Sequence, residues 1–143
     1  MRENINEFVE SLELFDDDGE KLSEEKREKF LNLIKNSISE KTNEIENLIV
    51  GFSFAEFSEL AEKCNKKFSV FEINIDSEKD FSCDDLSKDL YWISNTGKSE
   101  SSILDMMSIY KTIKGKTSAK LIYTMCVDES IEKNFNIVLF SKF

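Results

Sequence analysis

Histidine and proline are both absent from this chain. Without histidine, every Ser-His or Cys-His catalytic pairing is excluded, and so are histidine metal sites. Without proline, rigid linkers, PxxP docking segments and cis-proline turns are excluded. Cysteine is scarce. Cys64, Cys83 and Cys126 show no CxxC spacing and leave one thiol over in any disulfide scheme, which fits a reduced, cytoplasmic setting. Long apolar runs are missing too. Stretches such as Leu48-Ile49-Val50 fall far below the roughly 20 residues needed to cross a bilayer. The opening MRENINEFVESLELF carries four acids and no apolar run, unlike a secretory signal.

Positive charge is also in short supply, with 19 basic against 29 acidic residues and a net charge of −10. The deficit is uneven. Residues 1–50 carry 14 acids and 7 bases, residues 51–100 carry 11 and 6, and residues 101–143 carry 4 and 6. From Glu3 to Glu20 there are eight acids and no base, and DSEKDFSCDDLSKD (76–89) holds six acids against two lysines. Such a field repels nucleic acid and anionic lipid and attracts basic partners, although acidity also serves plain solubility.

What is present points to a folded domain. Forty per cent of the residues are apolar, twelve of the 143 are phenylalanine, and the length suits one compact core. The expectation is a single α+β domain over residues 1–143. Its N-terminal helices should pack on a four- to five-stranded sheet, mostly antiparallel or mixed. Ile5, Phe8, Val9 and Leu12 predict a helix from about Glu3 to Leu14. Ser23 caps a second, with Phe30, Leu31, Ile34 and Ile38 as its buried stripe. Residues 43–54 read as helix or strand, with the composition favouring a strand near 47–53. Ser53 and Glu56 form a capping box for a further helix. FSVFEINID (68–76) alternates as a strand with one wet side, and LYWIS (90–94) is a short strand. Ser102 and Asp105 are placed to cap a helix over 102–114, with Ile103, Met106, Met107, Tyr110 and Ile113 facing the core and Gly115 ending it. Two alternating strands, around 121–127 and 135–139, close the chain.

Two motifs imitate ligand sites. Thr96-Gly97-Lys98-Ser99 has the tail of a phosphate-binding loop, but Trp92 stands where that loop needs its first glycine. LFDDDGEKLSEE (14–25) imitates a calcium loop with Asp16, Asp18, Gly19 and Glu25 in place, but Leu14 replaces the first carboxylate ligand. Neither a nucleotide nor a metal cofactor is therefore expected. Cys83 sits beside Asp84 and Asp85, which disfavour a thiolate, while Cys64 and Cys126 read as packing residues. Lys111, Lys114, Lys116 and Lys120 form the basic cluster, opposed by the overall field as a nucleic-acid contact.

The expected function is therefore that of a non-enzymatic protein-binding inhibitor. Charge and size match immunity proteins and antitoxins, which block the cationic active site of a basic toxin or effector. Candidate partner-binding residues are Asp16, Asp17 and Asp18 in one set and Asp80, Asp84, Asp85 and Asp89 in another. Tyr91 and Trp92 would be aromatic anchors if exposed. The alternatives are an adaptor with an apolar interface and, third, a small carboxylate-dependent enzyme.

Overall fold

The computed structural model describes residues 2–38, 48–82, 90–114 and 121–143. The elements in chain order are α1 (Arg2–Glu10), β1 (Glu13–Phe15), α2 (Glu24–Ser37), β2 (Leu48–Val50), α3 (Phe54–Lys63), β3 (Lys67–Ile75), β4 (Leu90–Gly97), α4 (Ile103–Lys114), β5 (Ile122–Val127) and β6 (Phe135–Lys142). Short 3-10 turns, Glu78–Asp80 and Glu100–Ser102, follow β3 and precede α4. Among the described residues, six strands form one mixed sheet in the order β1-β3-β6-β4-β5-β2. The pairs β1/β3 and β4/β5 are parallel; the pairs flanking β6, and β2/β5, are antiparallel.

The α+β class and the mixed sheet are as expected, and the described residues hold six strands, one more than the upper end of the expected four to five. The added edge strand comes from the region read as the end of the first helix. That helix stops at Glu10, and Arg27 on α2 donates to the carbonyls of Glu10 (2.7 Å) and Leu12 (3.3 Å), satisfying its orphan C-terminal acceptors. Glu13 then donates its N–H to the Lys66 carbonyl at 2.8 Å and begins a ladder with β3. Tertiary pairing there overrides a helical pattern that Leu12 and Leu14 would have continued.

Local signals hold where they are local. The Ser53–Glu56 capping box is formed in both directions, and the Ser23 hydroxyl accepts from the Lys26 N–H while Glu24 and Glu25 occupy the first turn of α2. Residues 48–50 form the short strand β2, and Phe52 bridges to Ile38. The strands β4 and β6 bury side chains on both faces, Trp92 beside Ile93 and Phe140 beside Leu139. A sheet apolar on both sides must be covered on both sides. Helices α1, α2 and α3 therefore lie over Phe68, Val70, Trp92, Val138 and Phe140. Helix α4 covers Ile93, Met125, Ile137 and Leu139 on the opposite face.

Three expectations need correction here. The buried stripe of α4 is Met106, Ile109 and Ile113, and Met107 is exposed. Ser102 does not cap the helix: residues 100–102 tighten into the 3-10 turn and Ser102 itself is buried. The wet side of β3 is confined to its second half, because Phe68 and Val70, on the same face as Glu72 and Asn74, lie under the helices. Gly115 lies outside the described residues.

Candidate functional site

The first acidic set occupies the β1–α2 connection. Gly19 adopts φ +83°, the left-handed conformation an Asp-Gly turn uses. One oxygen of Asp16 holds this turn, accepting from the N–H groups of Asp18 and Glu20 at 2.9 Å each. Asp16 is thus partly committed to the fold, while Asp17 and Asp18 are exposed. Leu14 is buried in β1, so the calcium-loop pattern lacks its first ligand in space as in sequence. Among the described residues, no three acids or thiols gather as a metal site.

Asp80 is exposed in the 3-10 turn after β3, and Asp84, Asp85, Asp89 and Cys83 lie outside the described residues. Of the described acids, Asp16, Asp17 and Asp18 do not form one patch with Asp80. The Ser69 hydroxyl donates to the Asp16 carbonyl at 3.4 Å, which fixes the first three beside Ser69. Asp80 lies past Ile75, which is itself roughly 20 Å away at about 3.3 Å of rise per residue.

Thr96–Ser99 is a strand end tied to a loop. Gly97 is the last residue of β4; the Lys98 N–H donates to the Asn134 carbonyl at 2.9 Å and its ammonium to the Glu132 carbonyl at 3.4 Å. Trp92 is fully buried, stacked on Phe140 with ring centroids 4.1 Å apart, and its indole N–H donates to Thr124 Oγ1 at 2.9 Å. It is a core residue and no surface anchor; Tyr91 is half-buried. Burial raises the Cys64 thiol, partly offset by Lys63 and Lys142, and raises Cys126, which shares a hydrogen bond with Thr96 (3.2 Å). Neither is a ready thiolate, in keeping with packing roles.

A site that sequence reading missed lies between α2 and the polar end of the sheet. It is a cleft of about 440 Å³ whose lining includes Lys29, Asn32 and Asn36 of α2, Asn74 of β3, Asn136 of β6, and Asp128 of the β5–β6 loop. Its rim is organised around Glu72. The Glu72 carboxylate accepts from the Lys29 ammonium at 2.5 Å and from Asn136 Nδ2 at 2.7 Å, and Asn136 Nδ2 also donates to Asn74 Oδ1 at 2.8 Å. Burial alone would raise the Glu72 carboxyl, but the bonds from Lys29 and Asn136, with the charges of Lys29 and Lys26, leave it below its ordinary value. Asp128 is lowered by hydrogen bonds from the Ser130 hydroxyl (2.6 Å) and N–H (2.9 Å). Both carboxylates are held ionised, and the cleft wall sets the Lys29 ammonium and asparagine amides beside Asp128, an arrangement suited to a polar group. Its traces in the sequence were Asn32 and Asn36, four apart on one helix face, and asparagines set inside two strands.

Because the folded Glu72 carboxyl lies below its unfolded value of about 4.5, its contribution is present above that pH and lost as pH falls through the folded value. Glu72→Gln should therefore lose about 1 kcal/mol at neutral pH. The gap to the parent should close on acidification below roughly pH 4. Urea midpoints measured between pH 3 and pH 7 would check this; a gap that stays constant with pH would show that the charge contributes nothing.

No family model matches the chain, and no curated protein matches its sequence. Among the described residues, no helix is long and apolar enough to cross a membrane.

Proposed function

We propose that this protein is an acidic, non-enzymatic inhibitor of the cytoplasm that binds a basic protein partner, as immunity proteins and antitoxins do. The observation that carries this reading is the surplus of exposed acids over bases in its N-terminal part. Lys21 pairs with Glu13, Lys29 with Glu72 and Lys35 with Glu10, Arg27 is spent on backbone carbonyls, and Lys26 is exposed. Glu7, Asp17, Asp18, Glu20, Glu24, Glu25 and Glu28 are meanwhile exposed along α1, the turn and the start of α2. Acids outnumber bases along this surface and leave it anionic, and a surface of one sign speeds encounter with the opposite sign.

The partner can be isolated by affinity capture on the protein from its native host, and its kinetics then followed at several salt concentrations. Association should slow on the order of tenfold as salt shortens the screening length below about 10 Å, while dissociation changes less. Asp17→Lys combined with Asp18→Lys should weaken the complex by about 2–5 kcal/mol if that turn is central. Glu59→Lys, on the exposed side of α3, should leave it nearly unchanged. A partner that is not basic, or binding indifferent to salt and to these reversals, would sink the proposal. The second reading, an adaptor with an apolar interface, is favoured by one observation: Leu104 and Met107 of α4 are 77% and 41% exposed on adjacent turns.

A further inference from the structure

Among the described residues, the outer edge of the sheet is only half covered. β1 pairs with Lys67, Phe68 and Ser69 of β3 and ends there, whereas β3 continues to Ile75 in unbroken register with β6 on its other side. The Lys66 carbonyl accepts from Glu13, so backbone groups of alternate residues from Lys66 onward point to this edge. Beyond β1, the N–H and C=O groups of Glu72 and Asn74 face outward, and among the described residues no strand pairs with them. Natural edges are usually guarded by lysine, proline, a bulge or a covering element. Val70–Ile75 contains neither lysine nor proline, and its register carries no bulge. Phe71 is 42% exposed on this stretch, and Phe143, stacked on Phe15, is 51% exposed.

The charges bracket this edge. Asp16, Asp17 and Asp18 stand at its Ser69 end, and Asp76, Glu78 and Asp80 follow directly after Ile75. The edge itself is two-faced: Phe71, Ile73 and Ile75 share the α4 face, and Glu72 and Asn74 share the cleft face.

We infer that the open edge of β3 receives an extended segment of a basic partner as an added strand, clamped by Asp16, Asp17 and Asp18 at one end and by Asp76, Glu78 and Asp80 at the other. The occupant alternates apolar residues, set beside Phe71 and Ile73, with cationic residues on the side of Asn74 and of Glu72, whose carboxylate they would share with Lys29. Main-chain hydrogen bonds to Glu72 and Asn74 hold it, and alternate side chains select it. This inference rests on the acidic-inhibitor reading and supplies its mode of contact. It also gives a shared role to Asp16, Asp17 and Asp18 and to Asp76, Glu78 and Asp80, which stand at opposite ends of the edge.

The test uses the intact protein and a synthetic ten-residue peptide of alternating lysine and valine, with a glutamate-for-lysine version as control. Binding should slow amide exchange at Glu72 and Asn74 by on the order of tenfold. Asn74→Pro, which removes an edge donor, and Phe71→Lys, which repels the peptide without touching the core, should each weaken it on the order of tenfold. Salt-sensitive binding with unchanged exchange at Glu72 and Asn74, and undiminished in both variants, would overturn the edge and leave the acidic reading standing. Equal binding of the glutamate peptide would overturn the inference through its charge rather than its edge. Protection of the same amides without peptide, rising with protein concentration alongside a dimer in sedimentation, would overturn it in favour of a second copy.

Discussion

Trp92→Ala should lower the stability of the fold by about 3–5 kcal/mol, the range for truncating a large buried aromatic. Trp92 lies at the meeting point of the helical layer and the sheet, against Phe52, Phe57 and Phe140. Alanine leaves a cavity that these three rings cannot fill together, and it deprives the buried Thr124 hydroxyl of its indole donor. Trp92→Phe retains a ring against Phe140 but not the N–H, and should lose about half as much. Urea denaturation followed by circular dichroism would measure both. A loss below about 1 kcal/mol for the alanine variant would mean that the ring is not packed as described.

The second large effect is expected at Gly97. A Cβ there would stand 2.8 Å from the Ser102 Cβ and 3.0 Å from the Met106 Cε. The methionine terminus can swing away, but Ser102 is fixed in the 3-10 turn that launches α4. Gly97→Ala should therefore destabilise the fold by about 1–3 kcal/mol, and Gly97→Val by more. Ser102→Gly should recover much of the alanine loss while doing little good alone, a coupling that a double-mutant cycle reads directly. Independent, additive losses would show that the contact does not govern the substitution. The glycine of the Thr96–Ser99 motif is thus accounted for by helix approach, with no phosphate required.

Much of the fold was legible because its signals are short-range. Ser23, and Ser53 with Glu56, announce helix starts within a single turn, and the alternation from Phe135 onward needs no partner to be seen. The sequence was less readable where a distant segment decides. Glu13–Phe15 becomes a strand because β3, more than fifty residues later, offers it an edge. The core face of α4 was read correctly at Ile103, Met106, Tyr110 and Ile113 but with Met107 in place of Ile109, because the two are equally apolar in sequence. The acidic turn at residues 16–19 could be read as a turn, yet its distance from Asp80 could not. The cleft was invisible for the same reason: Lys29, Asn74, Asn136 and Asp128 come from four segments that meet only in the folded chain.

The strand β6 is the last element in chain order and also sits between β3 and β4, pairing with both. On a ribosome, β3 and β4 therefore emerge with their inner edges bare and remain so until residues 135–142 have cleared the exit tunnel. The sheet cannot be closed progressively from the N-terminus; it is zipped by its final strand in one late step. Pairings this distant in sequence make folding slow, and the waiting edges invite pairing with neighbouring chains. Newly made molecules thus have a window of vulnerability that the finished fold conceals, and chains cut short before Phe135 should be cleared or aggregate rather than fold.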